Sequence, residues 1–202
     1  RMRTLKIHLI RHGATDANYL GQYIGSKTDL PLSPEGFNEL RLLKEDIDYP
    51  EIDVLYSSPM LRCRQTGSLL YPDSEIITVP NLTEYDFGDF EGKTAAELEG
   101  NPDFAKWAAG KLTAPPKGEE NSDFVKRLCV GLNQIVLDMI EKGCENAGVI
   151  MHGGAIMMLL AATAVPRRRP VEWTADCGKG YSLLITPSLY HKSGVVEVFD
   201  II

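Results

Sequence analysis

Three short stretches of this sequence carry residue types able to do chemistry: Arg11-His12-Gly13, Ser57-Ser58-Pro59 with Arg62 just beyond, and His152-Gly153-Gly154. Histidine titrates near neutral pH, so it can serve as nucleophile, acid or base. Arginine presents a planar fork of donors that suits phosphate and carboxylate oxygens. Two histidines and two arginines would handle an anionic group, provided the fold brings them together. The chain holds 4 histidines. His8 and His191 keep a structural reading, because no flanking motif singles them out.

The elements that must position these stretches are read from pattern. Leu5 to Ile10 is expected as a strand. Ser33-Pro34 supplies an N-cap and a first-turn proline for a helix to about Ile47, with Phe37, Leu40 and Leu43 inward. Asp53 to Ser57 reads as a strand, Leu61 to Leu70 as a helix stopped before Pro72, and Ile76 to Val79 as extended chain. From Thr83 to Glu120 glycines and prolines weaken the pattern, with short helices expected near Thr94 to Glu99 and Pro102 to Ala109. Ser122 is read as the cap of the clearest helix, in which Leu128, Leu132, Ile135 and Met139 recur at helical spacing. Gly143 stands at its C-cap position. A strand at Val149 to Met151, a helix from about Ala155, and strands at Tyr181 to Thr186 and Val195 to Phe199 complete the chain.

Strands alternating with helices predict an α/β fold: a three-layer sandwich with a largely parallel central sheet and helices on both faces. Residues 1–202 read as a single domain, with 83–120 an insertion or lid. Ligands of open α/β sheets bind outside the carboxyl ends of the strands. Each chemical stretch follows a predicted strand, so Arg11, His12, Arg62 and His152 are expected along one edge of one sheet. Arg64, two residues from Arg62 on a helix, points elsewhere. Arg167-Arg168-Arg169 reads as a surface run.

Composition narrows the classes. The 202 residues are 44% hydrophobic and 24% charged, an ordinary globular balance. A chain this long buries roughly 70% of its unfolded surface without staples. The net charge of −7 disfavours a nucleic-acid or anionic-membrane binder, so charge that holds an anionic substrate must be local. The 4 cysteines form no CxxC pair, which argues against zinc and for reduced thiols in the cytoplasm. Val149 to Pro166 carries no formal charge, yet His152 and two glycines interrupt it, so it reads as a buried strand, turn and helix rather than a membrane span. The sequence leaves oligomeric state open.

The motifs then match a known family. Arg11-His12-Gly13-Ala14-Thr15 with Asn18 resembles the RHG signature of the histidine phosphatase superfamily, which includes cofactor-dependent phosphoglycerate mutases and small-molecule phosphatases. Gly21 to Gly25 and Asp29 to Ser33 resemble the segment that follows it. Ser58 to Thr66 resembles the second-arginine motif, Leu82 to Gly92 the acid motif, and His152-Gly153-Gly154 the second-histidine motif. Five motifs in order, from about residue 5 to about residue 163, are far more specific than a lone RHG.

The resemblance implies a phosphoglycerate mutase-like fold and a metal-independent phosphatase acting on a small phosphorylated metabolite, with no cofactor. It implies His12 as a nucleophile that becomes phosphohistidine, with Arg11, Arg62 and His152 around the phosphoryl group. Glu84 becomes the general acid, chosen over Asp86, Asp89 and Glu91 because it matches the family position. Thr15, Asn18, Gln22 and Gly153 complete the substrate pocket. Gln22 stands where many relatives carry arginine. Cys63 and Gly67 replace common alanines and read as packing changes away from the chemistry. The nearest rival is a phosphoglycerate mutase, whose dedicated members tend to be longer between the acid and the second histidine. A rival of another class is a non-catalytic binder of phosphorylated ligands or a protein partner. The length and lid resemble those of α-ribazole-phosphate and sugar-phosphate phosphatases.

Overall fold

A computed structural model describes residues 3–202. Among these, β1 (Leu5–Arg11), β2 (Val54–Ser57), β3 (Ile76–Thr78), β4 (Asn146–Met151), β5 (Ala164–Val165), β6 (Gly180–Ile185) and β7 (Val196–Ile201) form one sheet in the order β3-β2-β4-β1-β6-β7-β5. β6 runs antiparallel to both its neighbours, and the remaining pairs are parallel. The largely parallel expectation therefore holds, with one reversed strand. β2, β4 and β1 lie side by side, so the three stretches that follow them emerge at one edge.

Both sheet faces are covered, as a parallel sheet requires. On one face Leu5, Ile7 and Leu9 of β1 pack with Val149 and Met151 of β4 beneath α5 (Asn121–Lys142) and α6 (Gly153–Thr163). On the other, Ile10, Leu55 and Ile150 meet Leu40 of α2 (Pro34–Asp46) and Cys63 and Leu70 of α3 (Leu61–Leu70). The result is the three-layer sandwich. Val149 to Pro166 divides into the end of β4, then α6 and β5. Among the described residues no helix is long and apolar enough to cross a membrane.

Several boundaries differ from expectation. Ser33 does cap α2 by accepting from Gly36 N–H, but Phe37 is 42% exposed rather than inward. It sits off the narrow stripe that Leu40 buries. Thr94 to Glu99 is a series of turns, not a helix, begun by Thr94 and Glu97 bonding each other's backbone. Glu120, not Ser122, is the N-cap of α5, without a side-chain cap bond. Gly143 ends α5 at φ 71° as expected. α6 begins two residues earlier than expected, directly after His152. Among the α-helices and strands, α1 (Asp16–Leu20), the two-residue β5 and α7 (Pro187–Ser193) lie outside the sequence expectation. All are too short to show periodicity. α4 (Pro102–Ala108) falls where a short helix was expected.

Candidate active site

β1 delivers His12 to the edge of the sheet, where its backbone N–H donates to Met151 O of the adjacent β4 at 3.0 Å. The His12 Nδ1 lies 2.6 Å from Gly13 O. A carbonyl can only accept, so Nδ1 carries the hydrogen and Nε2 keeps its lone pair. Burial pushes the His12 pKa down to about 3, and the nearby Arg62 guanidinium pushes the same way. The ring is therefore neutral across ordinary pH, with an unprotonated Nε2.

The other strand-end residues surround it. His152 follows β4 as the N-cap of α6 and meets His12 edge to face, with ring centroids 5.3 Å apart. Its Nε2 lies 2.8 Å from Ser58 Oγ. Burial, then the neighbouring His12, holds its pKa well below the usual histidine value. Arg62, in the first turn of α3, donates to Thr28 O at 2.8 Å and Gly25 O at 3.2 Å. Arg11 donates through one guanidinium nitrogen to Ala175 O at 2.8 Å, while its buried Nε has no partner.

Glu84 closes the opposite wall. Its carboxylate accepts from Gly154 N–H at 2.9 Å and from Tyr85 N–H at 3.1 Å. Burial nevertheless raises its pKa above the ordinary carboxylate range, overriding those hydrogen bonds and the two arginines. The glycine pair after His152 now has a reason. A Cβ on Gly153 would stand 3.0 Å from Arg11 Nε, and one on Gly154 would stand 2.8 Å from Glu84 Oε1. Side chains there would displace both groups.

These residues line a cavity of about 230 Å³ that includes Arg11, His12, Asn18, Gln22, Glu84 and Gly153. Arg62 (1% exposed) and His152 (0% exposed) are more fully buried and do not line this cavity. Thr15 departs from its expected place. It is fully buried and caps α1, accepting from Asn18 N–H, while Asn18 Oδ1 accepts from Thr15 N–H. That exchange leaves the Asn18 amide NH₂ as its end available to a ligand. Of the competing acids, Glu91 braces the 25–28 turn by accepting from Gly25 N–H and the Thr28 hydroxyl, Asp86 accepts from Gly88 N–H, and Asp89 is exposed. Cys63 is not remote from the site, because its Sγ sits 3.5 Å from His152 Nε2. Its thiol is pushed up to about 12 by burial and stays neutral. Gly67 is a packing position, as expected: a Cβ there would meet Ile76, Leu55 and Ile150.

Residues that gave little or no signal in sequence also shape the site. Ser58 was visible beside Arg62 but carried no role. Arg127 of α5 donates to Asn81 O, Thr83 O and Glu84 O at 2.7 to 3.0 Å, and its guanidinium pairs with Glu119 at 2.7 Å. Glu119 N–H also donates to Asp86 O. The pair thus grips the backbone on both sides of Glu84. His8 bonds Ser182 in the sheet, and His191 and Arg64 are exposed, so none of these joins the site. Arg167, Arg168 and Arg169 are exposed too, with Arg168 lying over Trp173.

A sheet edge that presents a neutral histidine, a buried and a half-buried arginine and a glutamate of raised pKa is chemically suited to handling a phosphoryl group. The model of the histidine phosphatase superfamily (branch 1) matches residues 7–179, and the chain belongs to that superfamily, as an enzyme of the phosphatase class. It is similar to a broad-specificity phosphatase of Saccharomyces cerevisiae, with 31% identity over 163 residues, 77% of this chain and 69% of the relative. It is similar also to the adenosylcobalamin/α-ribazole phosphatase of Salmonella typhimurium, with 28% identity over 162 residues and 78% of each chain. Two solved structures share the fold. An α-ribazole phosphatase from Shigella flexneri matches with a TM-score of 0.77 at 23% identity, over 96% of this chain and 95% of that one. A phosphoglycerate mutase from Bacillus anthracis matches with 0.78 at 19%, over 98% and 92%.

Proposed function

We propose that the protein is a metal-independent phosphomonoesterase that works through a phosphohistidine at His12 Nε2. The observation that carries this reading is the 2.6 Å contact of His12 Nδ1 with Gly13 O. It fixes the tautomer, and the low pKa keeps Nε2 nucleophilic without a separate base. Phosphoryl transfer proceeds through a loose transition state, so positioning and charge stabilisation dominate. Arg11 Nε, Asn18 and the backbone at Gly153 take the phosphoryl oxygens. Arg62 adds fixed positive charge close to His12, and His152 holds the ring in place.

Glu84 gives its proton to the leaving alkoxide, then takes one from the water that cleaves the phosphoenzyme. Its raised pKa suits both duties. The chain acts as one histidine phosphatase domain over 1–202, in which the 83–120 lid brings Glu84 and Phe87 to the cavity wall. Its substrate is a small phosphorylated metabolite, and its setting the cytoplasm.

The test is phosphorus NMR of the purified protein in EDTA with a panel of phosphomonoesters that includes 3-phosphoglycerate. Inorganic phosphate is expected, together with an acid-labile phosphohistidine on quenching. Conversion of 3-phosphoglycerate to 2-phosphoglycerate without phosphate release would replace this reading with a mutase. Protection of an ester without cleavage would replace it with a binder.

A further inference from the structure

Beyond Arg11, His12, Asn18, Glu84 and the glycines, the cavity is lined by Gln22, Tyr23, Ile24, Phe87, Met157, Thr174 and Ala175. Every one of these is uncharged. Tyr23 and Phe87 form an aromatic wall, with ring centroids 5.3 Å apart at 45°. The wall is buttressed from behind: Tyr23 also meets Phe104 and Trp107, and Phe87 meets Tyr85 and Trp107. Its backbone is pinned as well, since Tyr23 N–H donates to Lys93 O at 2.9 Å and Gly92 N–H donates to Tyr23 O at 2.7 Å. Gln22, Thr174 and the Tyr23 hydroxyl supply the side-chain polar groups at this end.

We propose that the site selects monophosphate esters of small, uncharged polyhydroxy alcohols. The proposal rests on the phosphatase reading and names its substrate class. An aromatic wall accepts the C–H face of such an alcohol, while an amide and a hydroxyl exchange hydrogen bonds with its hydroxyls. A second anionic group on the alcohol would be desolvated against Tyr23, Phe87, Ile24 and Met157 with no cation to meet it, because Arg11 is committed to the phosphoryl end. Discrimination of this kind arises from the group left unpaired, not from a clash.

Matched substrates test it on the wild-type protein. Glycerol 3-phosphate and 3-phosphoglycerate differ in a hydroxymethyl against a carboxylate, and ribulose 5-phosphate and ribulose 1,5-bisphosphate differ in a second phosphate. The uncharged member of each pair is expected to show at least about tenfold higher kcat/KM. Phosphoserine, whose alcohol part carries a carboxylate and an ammonium, and phosphoethanolamine, whose alcohol part is cationic, are expected to fall below glycerol 3-phosphate. Equal or greater kcat/KM for the anionic members, or a preference for phosphoethanolamine, would overturn the proposal. Cleavage of p-nitrophenyl phosphate with no cleavage of the polyol esters would overturn it while leaving the phosphatase reading intact. No phosphate from any ester would remove the phosphatase reading itself. Gln22→Arg then locates the selectivity: it should shift the glycerol 3-phosphate to 3-phosphoglycerate ratio toward the acid by about tenfold. An unchanged ratio would remove Gln22 from the specificity role.

Discussion

The two walls of the cavity are held in place by different means. His12 and His152 sit just beyond strands, where sheet register places them, and Arg62 sits in the first turn of the helix that follows β2. Backbone bonds such as His12 N–H to Met151 O tie neighbouring strand ends together directly. Glu84 lies in an irregular segment between a short 3₁₀ turn at Pro80–Leu82 and another at Gly88–Phe90. No sheet reaches it. A side chain from a distant helix, Arg127, holds its backbone instead, with Glu119 completing the grip. Ladder hydrogen bonds position a residue through many shared contacts, whereas a clamp concentrates the task in one guanidinium. The strand-end wall should therefore tolerate single changes beneath it, and the Glu84 wall should be sensitive to one residue, Arg127, that does not line the cavity.

The largest effect tests the nucleophile itself. His12→Ala is expected to lower turnover by more than about 10⁴-fold and to abolish the phosphoenzyme. Turnover retained with a labelled enzyme intermediate elsewhere would break the assignment of the strand-end wall. Glu84→Gln comes next, with a loss of about 10²- to 10⁴-fold for alkyl phosphates and a much smaller one for p-nitrophenyl phosphate, whose leaving group needs no proton. Equal losses on both esters would show that Glu84 is not the acid.

The pH dependence follows from the same two groups. Glu84 must be protonated to act as acid, and its raised pKa keeps it so above the ordinary carboxylate range. kcat/KM for alkyl phosphates should fall on the alkaline side as Glu84 loses its proton. The acid-side fall from protonating His12 should lie far lower, because that group titrates at about 3. Glu84→Gln should abolish the alkaline limb, and a limb that survived the substitution would assign it to another group.

The clamp provides the sharpest contrast. Arg127→Met should lower kcat by about ten- to a hundredfold, since small misplacements of a catalytic group are costly. Like Glu84→Gln, it should spare p-nitrophenyl phosphate and move KM little. Arg127→Lys should rescue only part, because one ammonium cannot reach three carbonyls and a carboxylate in the same geometry. A uniform loss across esters would make Arg127 a general stabiliser. The smallest effect belongs beneath the strand-end wall: Ser58→Ala should cost about five- to tenfold by releasing His152 Nε2. A loss as large as that of Arg127→Met would erase the distinction between the walls.

Much of this is legible in the sequence. Strand-like apolar runs, the Ser33-Pro34 helix start and the Gly143 helix end are local signals, and they held because short-range chemistry determines them. The three strand ends followed from alternation of elements, and the five ordered motifs pointed to the superfamily. Residues beside each other in sequence, Arg11 with His12 and Gly153 with Gly154, supply one side of the cavity.

Other features depend on the detailed backbone conformation or on contacts between remote residues. The Nδ1 contact that fixes the His12 tautomer depends on one backbone turn. The requirement for glycine at 153 and 154 comes from Arg11 and Glu84 approaching from elsewhere in the chain. Thr15 was drawn from the cavity because capping α1 satisfied its hydroxyl locally. Arg127 gave no sign at all: on α5 it reads as one more polar position, and only packing of that helix against residues 81–84 turns it into a clamp. The sequence by itself determined the elements, their order and the identity of the reactive groups, because those rest on propensity and local spacing. The folded structure decided which nitrogen is free, which acid is buried enough to hold a proton and which side chains line the cavity beside them. Proton affinity and shape are properties of an environment, and that environment is assembled from residues far apart in the chain.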